Sequence, residues 1–126
     1  MKGIMILVLG AMLVTSAVAF AEETKKEDAK PAPVTLTGEV VDLYCYMSHP
    51  ASATGAEHMK CAQGCMKKGL PVGFLAADGT VYLIIGKEHE AVNATLVDWA
   101  GKKSAITGVV LENKSMKGIE LVSIAE

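Results

Sequence analysis

Short runs of alternating apolar and polar residues recur along the chain from position 34 onwards. Alternation with a period of two places one side of a strand against a core and the other against water, so it predicts β-strands. We expect a first strand over 34–45, able to bend at Gly38 because this residue lacks a side chain. The other expected strands are 72–77 and 80–85, joined by an Asp78-Gly79 turn, followed by 104–112 and 118–124.

Two segments between the strands have helical patterns instead. Residues 55–69 form one, with Gly69 and Pro71 as its stop signal, and the second half of 87–100 forms the other, capped by Asn93 and ended by Gly101. A chain this short cannot bury both faces of a flat sheet, so we expect the strands to close into a small barrel with a helix at one end. Three strands, a helix and two strands predict a mainly β, five-stranded OB-like barrel, with a second helical insert after strand 1 over residues 46–70.

The N-terminal segment has a different composition from the predicted domain. Residues 4–21 are almost continuously apolar behind Lys2, and they end in Ala19-Phe20-Ala21 before two glutamates. These features predict a secretory signal peptide over 1–21, cleaved after Ala21. Residues 22–33 are rich in charge and proline, which predicts a flexible leader before a domain over 34–126. We therefore expect a periplasmic or extracellular protein that does not contact the membrane after cleavage.

Charge and aromatic content exclude one class of partner. The 126-residue chain has a net charge of −2, contains no arginine, and has only 5% aromatic residues. Nucleic-acid binding depends on clustered cations, on bidentate arginine contacts and on aromatic stacking. We therefore expect no nucleic-acid partner.

Several glycine and strand motifs carry a family resemblance. They are Leu36-Thr-Gly38-Glu-Val, Asp78-Gly79-Thr-Val-Tyr-Leu, Ala100-Gly101-Lys, Ile106-Thr-Gly108-Val and the final Ile119-Glu-Leu-Val-Ser-Ile. Together they resemble the small exported bacterial OB-fold proteins of the cell envelope, over about residues 34–45 and 72–124. The resemblance implies a binding module rather than an enzyme. If the domain is a disulfide-stapled module of this kind, we expect the groove across its first three strands to bind a small molecule or an envelope protein. The segment between Cys45 and Gly69 departs from this pattern.

Chemically active side chains are concentrated in that departing segment. It contains all three cysteines and two of the three histidines of the chain. On a helix, His58, Cys61 and Cys65 project within about 60° of one another, and Cys45 can approach them from the end of the first strand. This set predicts a tetrahedral metal site, with zinc favoured by its composition and copper(I) by the soft atoms nearby. Further candidate ligands are His49, Met47, Met59 and Met66.

Two other interpretations of the cysteines remain open from sequence. In an exported protein Cys45 could form a structural disulfide with Cys61 or Cys65, giving a stapled binding module with one spare thiol. The cysteines could also form a redox-active pair, although the C-x₃-C spacing differs from the C-x-x-C of thioredoxin-like enzymes. We expect a non-enzymatic metal-binding protein, because three thiolates would weaken a bound ion as a Lewis acid.

Overall fold

The computed structural model describes residues 29–126, so the predicted signal peptide and most of the predicted leader lie outside the described residues. The strands are β1 (Val34–Asp42), β2 (Val72–Ala76), β3 (Val81–Ile85), β4 (Lys103–Asn113) and β5 (Met116–Ala125). The helices are α1 (Leu43–Ser48), α2 (Gly55–Lys67) and α3 (Asn93–Leu96), with 3₁₀ turns at Lys87–His89 and Val97–Trp99. Within 29–126, no helix combines the length and apolar character needed to cross a membrane.

The five strands form one mixed sheet that closes on itself in the order β1-β2-β3-β5-β4. The first half of β1 pairs with β4 and its second half pairs with β2, so this strand joins the two sides of the ring. The ring is completed by a parallel pairing of β3 with β5, in which Leu83 is opposite Gly118. These pairings confirm the predicted mainly β, five-stranded fold and the helical insert after the first strand.

The hydrophobic core fills the ring and continues beneath the helices. Phe74, Ile106 and Ile119 are fully buried within the sheet. Ala62 and Met66 of α2 belong to the same cluster, together with Leu96 of α3. Because α2 contributes to the main core, these contacts pack the insert after β1 against the sheet and fix its position.

The first strand is shorter than predicted, and this changes the setting of Cys45. β1 ends at Asp42, and the following residues form helix α1, so Cys45 does not lie at the end of a strand. The Asp42 side chain causes the change, because its Oδ1 accepts a 2.8 Å hydrogen bond from the Cys45 N–H and caps the helix. The Leu43 N–H donates to the Pro71 carbonyl, which fixes the start of α1 beside β2.

Two smaller sequence predictions are also corrected. The pairings of β1 run through Gly38 without a shift in register, and the bulge lies between Thr107 and Gly108 of β4. A Cβ at Gly38 would lie 2.1 Å from the Leu75 carbonyl oxygen, so this glycine permits close strand approach rather than a bend.

Asn93 does not cap the helix that follows β3. It is the first helical residue of the single-turn α3, and its Nδ2 donates instead to the carbonyls of Met66 and Leu70, at 2.9 and 2.8 Å. Those carbonyls lie where α2 ends, so the amide of Asn93 ties α3 to the end of the insert.

Candidate metal centre

The three cysteine sulfurs meet at the junction of α1 and α2. Cys45 is buried on α1, and its Sγ lies 3.9 Å from the Sγ of Cys61 and 3.9 Å from the Sγ of Cys65. Cys61 and Cys65 are one turn apart on α2, and all three sulfurs lie within 4.8 Å of one another. The structure therefore brings together three of the four predicted ligands as a compact thiol cluster, Cys45, Cys61 and Cys65.

The sulfurs are spaced as unbonded thiols, and this spacing is also compatible with a shared metal ion. All three cysteines lie in the described part of the chain, and none of them forms a disulfide there. A disulfide requires sulfurs about 2.05 Å apart. Two thiolates bound to one tetrahedral zinc ion, with bonds of about 2.3 Å, lie about 3.8 Å apart. The observed 3.9 Å fits two ligands of one ion, so these residues could hold a metal.

The fourth predicted ligand, His58, belongs to a second group that overlaps the first. Its Nε2 lies 3.1 Å from Oδ2 of Asp42, a carboxylate with 0% exposure. Asp42, Cys45 and His58 offer ligand atoms within 4.8 Å of one another. The structure thus places His58 beside the thiol cluster, with Cys45 as the residue that both groups share.

Asp42 is not among the site residues predicted from sequence, because a first strand that continues to Cys45 leaves no helix for Asp42 to cap. Its two oxygens bond the Cys45 amide and the His58 ring, so one buried side chain connects the two helices of the site. An aspartate three residues before Cys45 is a helix N-cap signal that could have identified it.

The additional candidate ligands have other surroundings. Met66 is fully buried in the main core, Met59 is half-buried, and Met47 is 79% exposed on α1. His49 is exposed at the end of α1, where its backbone N–H donates to the Cys45 carbonyl at 2.7 Å. Within residues 29–126, neither group of potential ligands that shares Cys45 includes His49.

The sulfur-containing side chains of α2 differ in burial, because only part of this helix surface packs against the sheet. Ala62 and Met66 form the buried side of the helix, while Cys65 is half-buried and Cys61 is exposed. The thiol cluster therefore lies at the edge of the core, with Cys61 open to solvent.

Burial controls the protonation of two of the thiols. Desolvation, assisted by hydrogen bonds to Asp42 and to the other two cysteines, raises the pKa of Cys45 to about 12. Desolvation also raises the pKa of Cys65. Reactive cysteines instead have a lowered pKa, so the environment of Cys45 and Cys65 does not favour nucleophilic chemistry. A metal ion bound here would have to displace these protons.

No protein-family model matches the sequence, and the comparisons with curated proteins and with solved structures find no match either.

Proposed function

We propose that this chain is an exported, non-enzymatic protein that binds one soft transition-metal ion, zinc or copper, through Cys45, Cys61 and Cys65. His58 supplies the fourth donor if the ion is zinc. The observation that supports the proposal is the 3.9 Å spacing of Cys45 Sγ from each of the other two sulfurs. Thiolates at this spacing fit the coordination shell of one ion, and soft sulfur ligands select zinc or copper(I) over harder ions.

The proposal also includes the fold class and the cellular location of the protein. The strand order β1-β2-β3-β5-β4 supports assignment to the OB-fold class, whose partly open barrels are a common scaffold for binding. The apolar segment over 4–21, with its small residues before the acidic leader, supports secretion and removal of the signal peptide.

The acidic residues near the thiol cluster support a binding role over catalysis. A hydrolytic metal site needs an open coordination position and a general base that can reach a bound water. Glu57 is the only acid of α2 and lies on its exposed side. Asp42 is buried, and both of its oxygens are engaged with Cys45 and His58. Asp42 is thus not free to accept a proton from a bound water, and the support for binding over catalysis rests on this residue.

The proposal is tested by measuring metal and thiols on one preparation. The full chain, expressed with its own N-terminus and purified without added metal, should contain about one zinc or copper per chain by elemental analysis. After chelation and denaturation, titration should find three thiols. Cys45→Ser should lose the metal, while Met116→Ala, which removes an exposed sulfur on β5, should retain it. A metal-free chain that also fails to bind zinc or copper(I) when reconstituted would disprove the proposal.

A groove elsewhere on the sheet supports a second candidate function, the binding of a small molecule. It has a volume of about 760 Å³ and lies where β1, the end of β2 and the start of β4 meet, lined by residues such as Gly38, Ala77 and Ser104. The Ser104 hydroxyl is buried and has no hydrogen-bond partner within residues 29–126.

Native mass spectrometry tests this second function. If the groove binds a small molecule, the chain purified from the cell envelope should carry an organic ligand that Cys45→Ser retains. Ala77→Trp, which places a large ring at the lining of the groove, should lose it. A protein mass that matches the sequence and its metal alone would count against this function.

A further inference from the structure

We propose that the metal is monovalent copper, held in a three-coordinate arrangement by Cys45, Cys61 and Cys65, with His58 outside the coordination shell. This inference rests on the proposed metal-binding function and specifies which ion that site takes.

The potential ligands divide into two groups that overlap at Cys45. Each sulfur of the thiol cluster lies within 4.8 Å of the other two, whereas His58 joins a different group that contains only one of these cysteines. The four residues do not form one set at that distance. The described geometry therefore provides three sulfur donors around one point, and a nitrogen donor displaced to one side near Cys45.

A hydrogen bond to Asp42 holds the His58 ring in its position beside Cys45. Asp42 has 0% exposure, and its Oδ2 is paired with the His58 ring at 3.1 Å. If His58 swung toward the sulfurs and broke this contact, it would leave a buried carboxylate oxygen without its partner. Unpaired buried charged groups are strongly disfavoured. With Nε2 held by Asp42, only Nδ1 could bind an ion without loss of this contact. Neither ring nitrogen forms a set with all three sulfurs within 4.8 Å, so recruitment of His58 would require it to move.

Zinc and copper(I) differ in the number of donors that they require. Structural zinc is almost always bound by four donors in a tetrahedron, whereas copper(I) is a softer ion that thiolates select. An ion in the plane of three sulfurs, each pair spaced like the two observed at 3.9 Å, would lie about 2.3 Å from each, a normal length for a metal–thiolate bond. Three thiolates thus complete a shell for copper(I) without movement of His58, whereas zinc would still lack one donor.

The exposure of Cys61 gives this site a route for the ion. Cys45 is only 5% exposed, but Cys61 is open to solvent on α2. A copper(I) ion can therefore bind Cys61 first and then reach the two more buried sulfurs without disruption of the core. Each thiol releases its proton to solvent as its sulfur binds, and no change in oxidation state is involved.

The test compares copper(I) and zinc binding under anaerobic conditions, with a chromophoric chelator competing for each ion. Wild-type protein should bind one copper(I) per chain. Cys61→Ser should weaken copper(I) binding by at least 100-fold. His58→Gln, which keeps an amide donor able to face Asp42, should change it by less than threefold. X-ray absorption of the wild-type copper(I) complex should show three sulfur neighbours and no imidazole.

The outcomes separate this inference from the proposed function. An imidazole neighbour in the wild-type copper(I) complex would overturn the inference even if His58→Gln failed to fold. Preferential zinc binding that depends on His58 would also overturn it, while the proposed function would stand. Failure of the wild-type chain to bind either ion would overturn both.

Discussion

The Nε2 atom of His58 on α2 faces Oδ2 of Asp42 at the end of β1, across a distance of 3.1 Å. The other Asp42 oxygen caps α1 through the Cys45 amide. One carboxylate therefore links a strand and two helices, and it lies at the point where the insert leaves the sheet. Its removal should affect stability as well as metal binding.

Asp42→Ala should lower the free energy of unfolding by about 1–3 kcal/mol, because it removes a helix cap and the partner of a mostly buried histidine. Asp42→Asn should cost less, since its amide oxygen can still cap α1. Urea denaturation of the metal-free protein measures both effects. Asp98→Ala, at an exposed acid, is the control. Equal stability of Asp42→Ala and Asp98→Ala would show that the buried contacts contribute nothing.

Met66 should act as a core residue and not as a ligand. It is fully buried against the sheet, so Met66→Ala should destabilise the protein by about 2–5 kcal/mol by leaving a cavity. Met66→Leu nearly conserves volume and should cost less than about 1.5 kcal/mol. Thermal and chemical denaturation test these values. The affinity of Met66→Leu for metal should equal that of wild type, and a tenfold loss would identify the thioether as a ligand.

The stability of the metal-free protein should fall as the pH rises above 9. The pKa of Cys45 is about 12 in the folded protein, compared with an ordinary value of 9.0. Between these pH values the unfolded chain loses a proton that the native protein keeps, so deprotonation favours unfolding. Cys45→Ser should make the decline between pH 9 and 12 shallower, whereas Met116→Ala should leave it unchanged. The denaturation midpoint of each protein is measured across this pH range. If the midpoint falls equally steeply with pH in all three proteins, Cys45 is not the group responsible for the decline.

Two glycines should respond to alanine in opposite directions. Gly38→Ala would bring a Cβ to 2.1 Å from the Leu75 carbonyl oxygen, so the strands must separate. We expect a loss of about 1–3 kcal/mol. Gly64 lies within α2, where an added methyl group would meet no neighbouring side chain or strand within 4 Å, so Gly64→Ala should stabilise the protein by about 0.5–1 kcal/mol. Calorimetry should place their melting temperatures on opposite sides of the wild-type value.

The strands could be predicted because their apolar alternation reflects burial on one side of a sheet. The expected strands at 72–77 and 80–85 differ from β2 and β3 by one residue at one end. The last two strands extend one or two residues beyond the predicted limits at each end. Alternation contains no information about which strand pairs with which, so the parallel pairing of β3 with β5 is visible only in the structure.

The three cysteines of the thiol cluster were predictable from sequence, whereas the local structure around Cys45 and the role of Asp42 were not. Helical geometry alone places His58, Cys61 and Cys65 on one sector of α2. The two tyrosines that flank Cys45 favour a strand by intrinsic propensity, but the Asp42 cap favours a helix, and the helix forms. The contact between Asp42 and His58 joins residues 16 positions apart on different elements, so no local pattern could reveal it.

Residues 43–71 begin and end at partnered positions, because Asp42 of β1 is opposite Val72 of β2 and the Leu43 amide bonds the Pro71 carbonyl. The thiol cluster thus lies in what is topologically an enlarged turn of a β-hairpin. Replacing this turn by a short one would not reroute the rest of the chain, but it would remove Ala62 and Met66 of α2 from the core, so the sheet and the turn that carries the cysteines depend on each other for stability.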